Sequence, residues 1–158
     1  MRRIFLLLAL LPVYAFAQVD KADEYYNIGR DYVKSQQFEK CKETWSKILA
    51  LDIPADLRAE TNCNLGMLCK DSLNQQEEAK KFFKASADLL PLVIKDEVPS
   101  DSVKFGAVIA CVNLSSYADS AKNYSDMLDY SLKAYNALEY VKKTNYPVAS
   151  FEAADFEA

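Results

Sequence analysis

Four cysteines and no histidine set the limits on the chemistry this 158-residue chain can do. Without imidazole there is no Ser-His or Cys-His nucleophile pair, and the commonest general base and metal ligand are both missing. Cys63 and Cys69 stand six apart on one predicted helix, so their Cα atoms lie about 9 Å apart along its axis and on different faces. A disulfide needs roughly 4.4–6.8 Å between Cα atoms, which forbids that pair. Cys41 with Cys69, or Cys63 with Cys111, stay open as bridges between helices that can be neighbours. The competing reading is four small buried hydrophobes. No Cys-x2-Cys spacing offers a zinc site, and no metal or other cofactor is expected.

The carboxylates of Asp23-Glu24, Glu77-Glu78 and Asp126/Asp129 read as solvated helix faces. Nothing in their spacing selects one desolvated acid beside a second, as acid–base catalysis requires. A G-x-S-x-G elbow, a phosphate loop and a dinucleotide fingerprint are all absent from the sequence. No catalytic residues are assigned, and the chain is not read as an enzyme. Asn113-Leu114-Ser115 and Asn123-Tyr124-Ser125 match the glycosylation acceptor by chance, the first inside a predicted helix that must pack.

Those residues have to be carried by helices. Three glycines and five prolines leave few tight turns, and the apolar residues recur at helical spacing, so the expected class is all-α. Tyr25, Ile28, Tyr32 and Val33 mark a first helix; Ser35-Gln36-Gln37 breaks it; Phe38, Cys41, Trp45, Ile48 and Leu49 mark a second, closed by Asp52-Ile53-Pro54. A second pair spans about Asp56 to Leu90, with Leu65, Leu68 and Cys69 facing Ala79, Phe82, Phe83 and Ser86 across a turn at Asp71–Gln76. Residues 91–102 form a long connection. The third pair places Lys122-Asn123 in the turn, with Tyr124, Met127, Ser131 and Ala134 lining its second helix.

Two glycines fall at one place in one pattern. Tyr25-x2-Ile28-Gly29-x2-Tyr32 is followed by Cys41-x3-Trp45, and Asn62-x2-Leu65-Gly66-x2-Cys69 by Ala79-x3-Phe83 and Pro91. This resembles the tetratricopeptide repeat, W-x2-L-G-x2-Y…A-x3-F…P over about 34 residues. Leu114, Ser115 and Ala118 stand at the Leu, Gly and Tyr positions of a looser third copy. The second copy is about one residue longer in its turn than the family outline. Gly29 costs a helix about 1 kcal/mol relative to Ala, which a close crossing by the neighbouring helix near Trp45 would explain.

The resemblance implies antiparallel helix pairs at about 22–54, 59–91 and 103–140, stacked as a short right-handed solenoid over residues 18–146. It also places Cys41 and Cys69 at positions that pack inward, which favours free thiols. First helices line the concave side in this family, which gives Tyr26, Arg30 and Lys34 from copy one, Cys63, Met67 and Lys70 from copy two, and Val112, Ser116 and Asp119 from copy three. The expected site is a groove for a protein or peptide, with Tyr26 and Met67 as apolar contacts, Arg30, Lys34 and Lys70 as charge anchors, and Ser116 beside them. A subtype that grips C-terminal carboxylates uses Lys and Asn where this chain has Tyr26 and Arg30, so that clamp is not expected. The alternative is a self-associating structural component of an envelope complex, or homo-oligomer, using the outer edge and the Phe151/Phe156 tail.

The N-terminus carries a separate signal. Arg2 and Arg3 precede the apolar run Ile4–Leu11, and Ala15-Phe16-Ala17 offers a small-x-small cleavage site, so residues 1–17 read as an export leader cut before Gln18. Ile4–Ala17 is too short for the roughly 20 residues a membrane span requires. No cysteine follows it where a bacterial lipid anchor would need one. The remaining 141 residues lose Arg2 and Arg3, taking the net charge from −4 to −6. An acidic chain without a basic stripe is a poor match to nucleic acid or anionic lipid. The expected place is the bacterial periplasm or beyond, with an adaptor or scaffold role. Residues 147–158, holding Phe151 and Phe156, form a C-terminal tail.

Overall fold

The computed structural model describes residues 2–95 and 104–143, with side-chain surroundings given for residues 17–94 and 106–139. The described residues form helices joined by short non-helical connections, and none forms a strand. The helices are α1 (Arg2–Lys34), α2 (Phe38–Ile48), α3 (Ala55–Met67), α4 (Gln76–Ala87), α5 (Leu90–Lys95), α6 (Lys104–Ser120) and α7 (Tyr124–Lys143), and a π-helical turn, Leu68–Ser72, extends α3. Among the described residues no helix is long and apolar enough to cross a membrane. The expected leader is helical from Arg2 onward and continuous with α1, and the tail from residue 147 lies outside the described residues.

Three helix hairpins, α1–α2, α3–α4 and α6–α7, make the largest contacts. Each is pinned at the position the sequence singled out. A Cβ on Gly29 would sit inside the Trp45 indole, and one on Gly66 would lie 2.6 Å from Phe83 Cε1. In the third hairpin Ser115 Oγ lies 2.8 Å from Ser131 Oγ and donates to the Met127 carbonyl at 3.2 Å. These partners are 16, 17 and 16 residues apart, so one register recurs with one residue inserted in the second hairpin.

The π-helical turn takes up that insertion. Hairpins one and three end their first helices with a Schellman turn: Gln37 N donates to Tyr32 O and Asn123 N to Ala118 O, each at 2.8 Å. In hairpin two the equivalent bond runs from Gln75 N to Cys69 O at 2.7 Å, one residue longer, and Leu73 N reaches Leu68 O at 3.1 Å. Every turn has one residue in the left-handed region: Gln36 at φ 57°, Asn74 at 54° and Lys122 at 57°. A side chain there costs about 1 kcal/mol, which the two paired carbonyls offset.

Two apolar clusters form the core. One gathers Ala22, Cys41, Trp45, Ile48, Leu65 and Leu68 between hairpins one and two. The other gathers Cys63, Cys69, Phe83, Leu90, Val93, Cys111 and Leu114 between hairpins two and three. Leu73 and Phe82 pack against both, so the core is continuous.

The connection expected over residues 91–102 begins instead with α5. Pro91 is tolerated because a helix's first turn has no internal use for its N–H, and Leu90 and Val93 are buried in the second cluster. Two further expectations are corrected. Ile28 stands at the Leu position yet is 38% exposed, whereas Leu65 and Leu114 are buried. Leu65 is covered by hairpin one, and Ile28 has no such cover among the described residues. Tyr124, expected to line α7's inner side, is 62% exposed.

All four cysteines are free and buried, and neither bridge, Cys41–Cys69 or Cys63–Cys111, is formed. Burial pushes the Cys41 and Cys63 thiols up to about 12, and Cys69 and Cys111 to about 11. They are therefore protonated at neutral pH, and the exposed thiolate that redox chemistry needs is lacking.

Candidate functional site

The first helices run the same way, α3 packing closely on α6 while α1 approaches α3 through side chains. Asp23 and Tyr26 of α1 face Glu60 and Asn64 of α3, advancing together along both helices. Between α3 and α6, Glu60 meets Gly106 and Met67 meets Asn113. Gly106 permits the second crossing, because a Cβ there would lie 2.9 Å from the Glu60 Cα. A backbone atom cannot step aside as a side chain can. This third glycine was not picked out by the repeat pattern.

Along α3, Asp56, Glu60, Asn64 and Met67 are half-buried at helical spacing, which makes them the open strip between α1 and α6. Tyr26 flanks it on one side. Its ring stacks on Trp45 at 5.6 Å and 12°, and the Trp45 indole Nε1 donates to the Tyr26 carbonyl at 3.2 Å. Burial first, then the Glu60 charge, pushes the pKa of its hydroxyl up, while the Arg30 charge opposes. On the other flank Lys70 Nζ donates to Asn113 Oδ1 at 2.9 Å and stands 3.8 Å from Asp71. Asn113 Nδ2 donates to the Ile109 carbonyl at 3.0 Å and contacts Met67 Sδ at 3.8 Å.

Charge is divided along the strip. Toward the N-terminal end of α3, burial together with Asp56 and Asp23 holds the Glu60 carboxyl above the usual carboxylate range. Further along in the same direction stand Arg30 on α1 and Lys70 on the π-helical turn. The strip thus has an acidic end, an apolar and amide middle at Asn64, Met67 and Asn113, and a basic end.

The structure thus brings Tyr26 to Arg30, and Met67 to Lys70 through Asn113. Lys34 and Ser116 are exposed, Lys34 being paired with Asp31 at 3.3 Å. Cys63 is corrected: it is 3% exposed and belongs to the core between hairpins two and three, not to a groove. Val112 is 55% exposed. Glu60, Asn64 and Asn113 are the strip residues that the repeat register passed over. Their signal was present as polar residues on otherwise packed first helices, but it needs the crossing geometry to be read. Comparison of the chain with family models, curated proteins and solved structures finds no match.

Proposed function

We propose that this chain is an exported module of three tetratricopeptide-like helix pairs, stacked as a short solenoid, that holds a protein or peptide segment along the α1–α3–α6 strip. The observation that carries this reading is the parallel run of first helices, with a half-exposed strip graded from Glu60 through Asn64 and Met67 to Lys70. A segment with a basic end and an acidic end would be held in one direction, by charge at the ends and by Tyr26 and Met67 between. Such complementarity sets specificity and encounter rate more than raw affinity. Tyr, Met and Arg are also residue types enriched at interfaces.

Export is supported by Arg2, Arg3, the Ile4–Leu11 run and Ala15-x-Ala17. Among the residues of α1 whose surroundings are described, Ala22 is the first that is buried, and it lies beyond the proposed cut. Mass spectrometry of the secreted chain's N-terminus checks the cut.

The groove is tested by placing a photoreactive residue at Asn64, or at the outward-facing Lys81, in envelope extract. A defined partner is expected to crosslink from Asn64 and not from Lys81, and to be lost in Arg30→Glu plus Lys70→Glu while helix content is kept. Crosslinking from Lys81 alone, or capture unaffected by the charge reversals, sinks the assignment.

A further inference from the structure

The recurring register identifies which side of each hairpin receives the next one. In hairpin two, Cys63 is buried in the core shared with hairpin three, and Gln76 accepts from the Tyr117 hydroxyl at 2.6 Å. Lys80 lies 5.1 Å from the Tyr117 ring, and Ala87 and Leu90 are buried. The same positions in hairpin three are Val112, Tyr124, Leu128, Tyr135 and Leu138, with Leu132 standing where Lys84 does. All six are large and apolar, and they are 44–65% exposed. They form an end face built like a stacking surface with nothing described upon it.

The opposite end is finished differently. Leu57, Leu65 and Leu68 of α3 pack against hairpin one; their counterparts on α1 are Asp20, Ile28 and Asp31, with Glu24 at the position of Thr61. These are exposed and mostly acidic. Terminal repeats stay soluble by carrying a polar outer face. Among the described residues, the outer face of the first hairpin is polar and that of the third is not. Head-to-tail stacking of copies would set acidic side chains against the apolar end face, so open growth of the stack is disfavoured.

We infer that the α6–α7 end face pairs with the same face of a second copy about a two-fold axis. Along α7 the stripe reads Tyr124-x3-Leu128-x3-Leu132-x2-Tyr135, nearly the same in both directions. Antiparallel α7 helices therefore put Leu128 opposite Leu132 and Tyr124 opposite Tyr135 of the other copy, as an isologous interface requires. The same register sets Lys122 of one copy level with Glu139 of the other, opposite charges at both ends of the seam. The six side chains expose roughly 600–700 Å2, close to the ~800 Å2 per partner that a standard interface buries. This pairing leaves the α1–α3–α6 strip free and stands independently of the groove reading.

Sedimentation velocity on the purified protein, over a micromolar to submillimolar series, reads the mass. Two chains are expected, with Leu128→Glu plus Leu132→Glu weakening the association at least roughly a hundred-fold while helix content and urea midpoint hold. Leu128→Cys and Leu132→Cys proteins, mixed and oxidised, should crosslink to a dimer more completely than either alone. A monomer at every concentration overturns the inference, including one whose stripe is covered by its own residues 144–158. So does a ladder of species beyond two, or a dimer indifferent to the double substitution.

Discussion

Replacing Gly66 with alanine isolates the contact on which the central hairpin is built. On an open helix face the change would stabilise by about 1 kcal/mol, since glycine is the poorer helix former. Here the added methyl would meet Phe83 at 2.6 Å (Cε1), 2.7 Å (Cδ1) and 3.0 Å (Cζ). Ordinary contact needs about 3.6 Å, so the ring must retreat by roughly 1 Å. Phe83 is fully buried and lies against Tyr117 at 6.3 Å, which leaves it little room to move. Overpacking of this kind costs about 1–3 kcal/mol, which outweighs the gain in helix propensity. The net expectation is a loss of up to about 2 kcal/mol, read as a lower urea midpoint by far-UV circular dichroism. Emission of Trp45, the chain's single tryptophan, follows the same transition. Adding Phe83→Leu should return part of the room, so the double variant should lose less than the two single losses combined. A Gly66→Ala protein as stable as wild type, or more so, would refute the close crossing.

The four buried thiols should be silent to Ellman's reagent in the native protein at about pH 8 and should all react after unfolding; fast native reaction at any of them contradicts their burial. Glu60→Gln tests the acidic end of the strip. The fold raises the Glu60 pKa, so its contribution to stability is full below the ordinary value of about 4.3 and is lost as pH rises through the folded value. The glutamine variant should therefore unfold at higher urea than wild type at neutral pH, with the advantage shrinking on acidification. An advantage that grows in acid would reverse the assigned sign.

The helical class, the hairpin turns and the pinning positions were legible in the sequence. A glycine on a helix facing an aromatic 16 or 17 residues on is a local pattern, legible at Gly29–Trp45 and Gly66–Phe83 because a hairpin closes nearby in the chain. It also showed the extra residue in the second turn, though not that a π-helical turn would absorb it. Tertiary structure decided what became of the first helices' other faces. Whether Cys63 lines a groove or is buried, whether Val112 is covered, and whether Asn113 bonds Lys70 all depend on how one hairpin crosses the next. That crossing is set by contacts far apart in sequence, such as Gly106 on the Glu60 backbone. Periodicity names the face of a helix but not the neighbour it meets, and so the strip, unlike the hairpins, could be read only from the packed molecule.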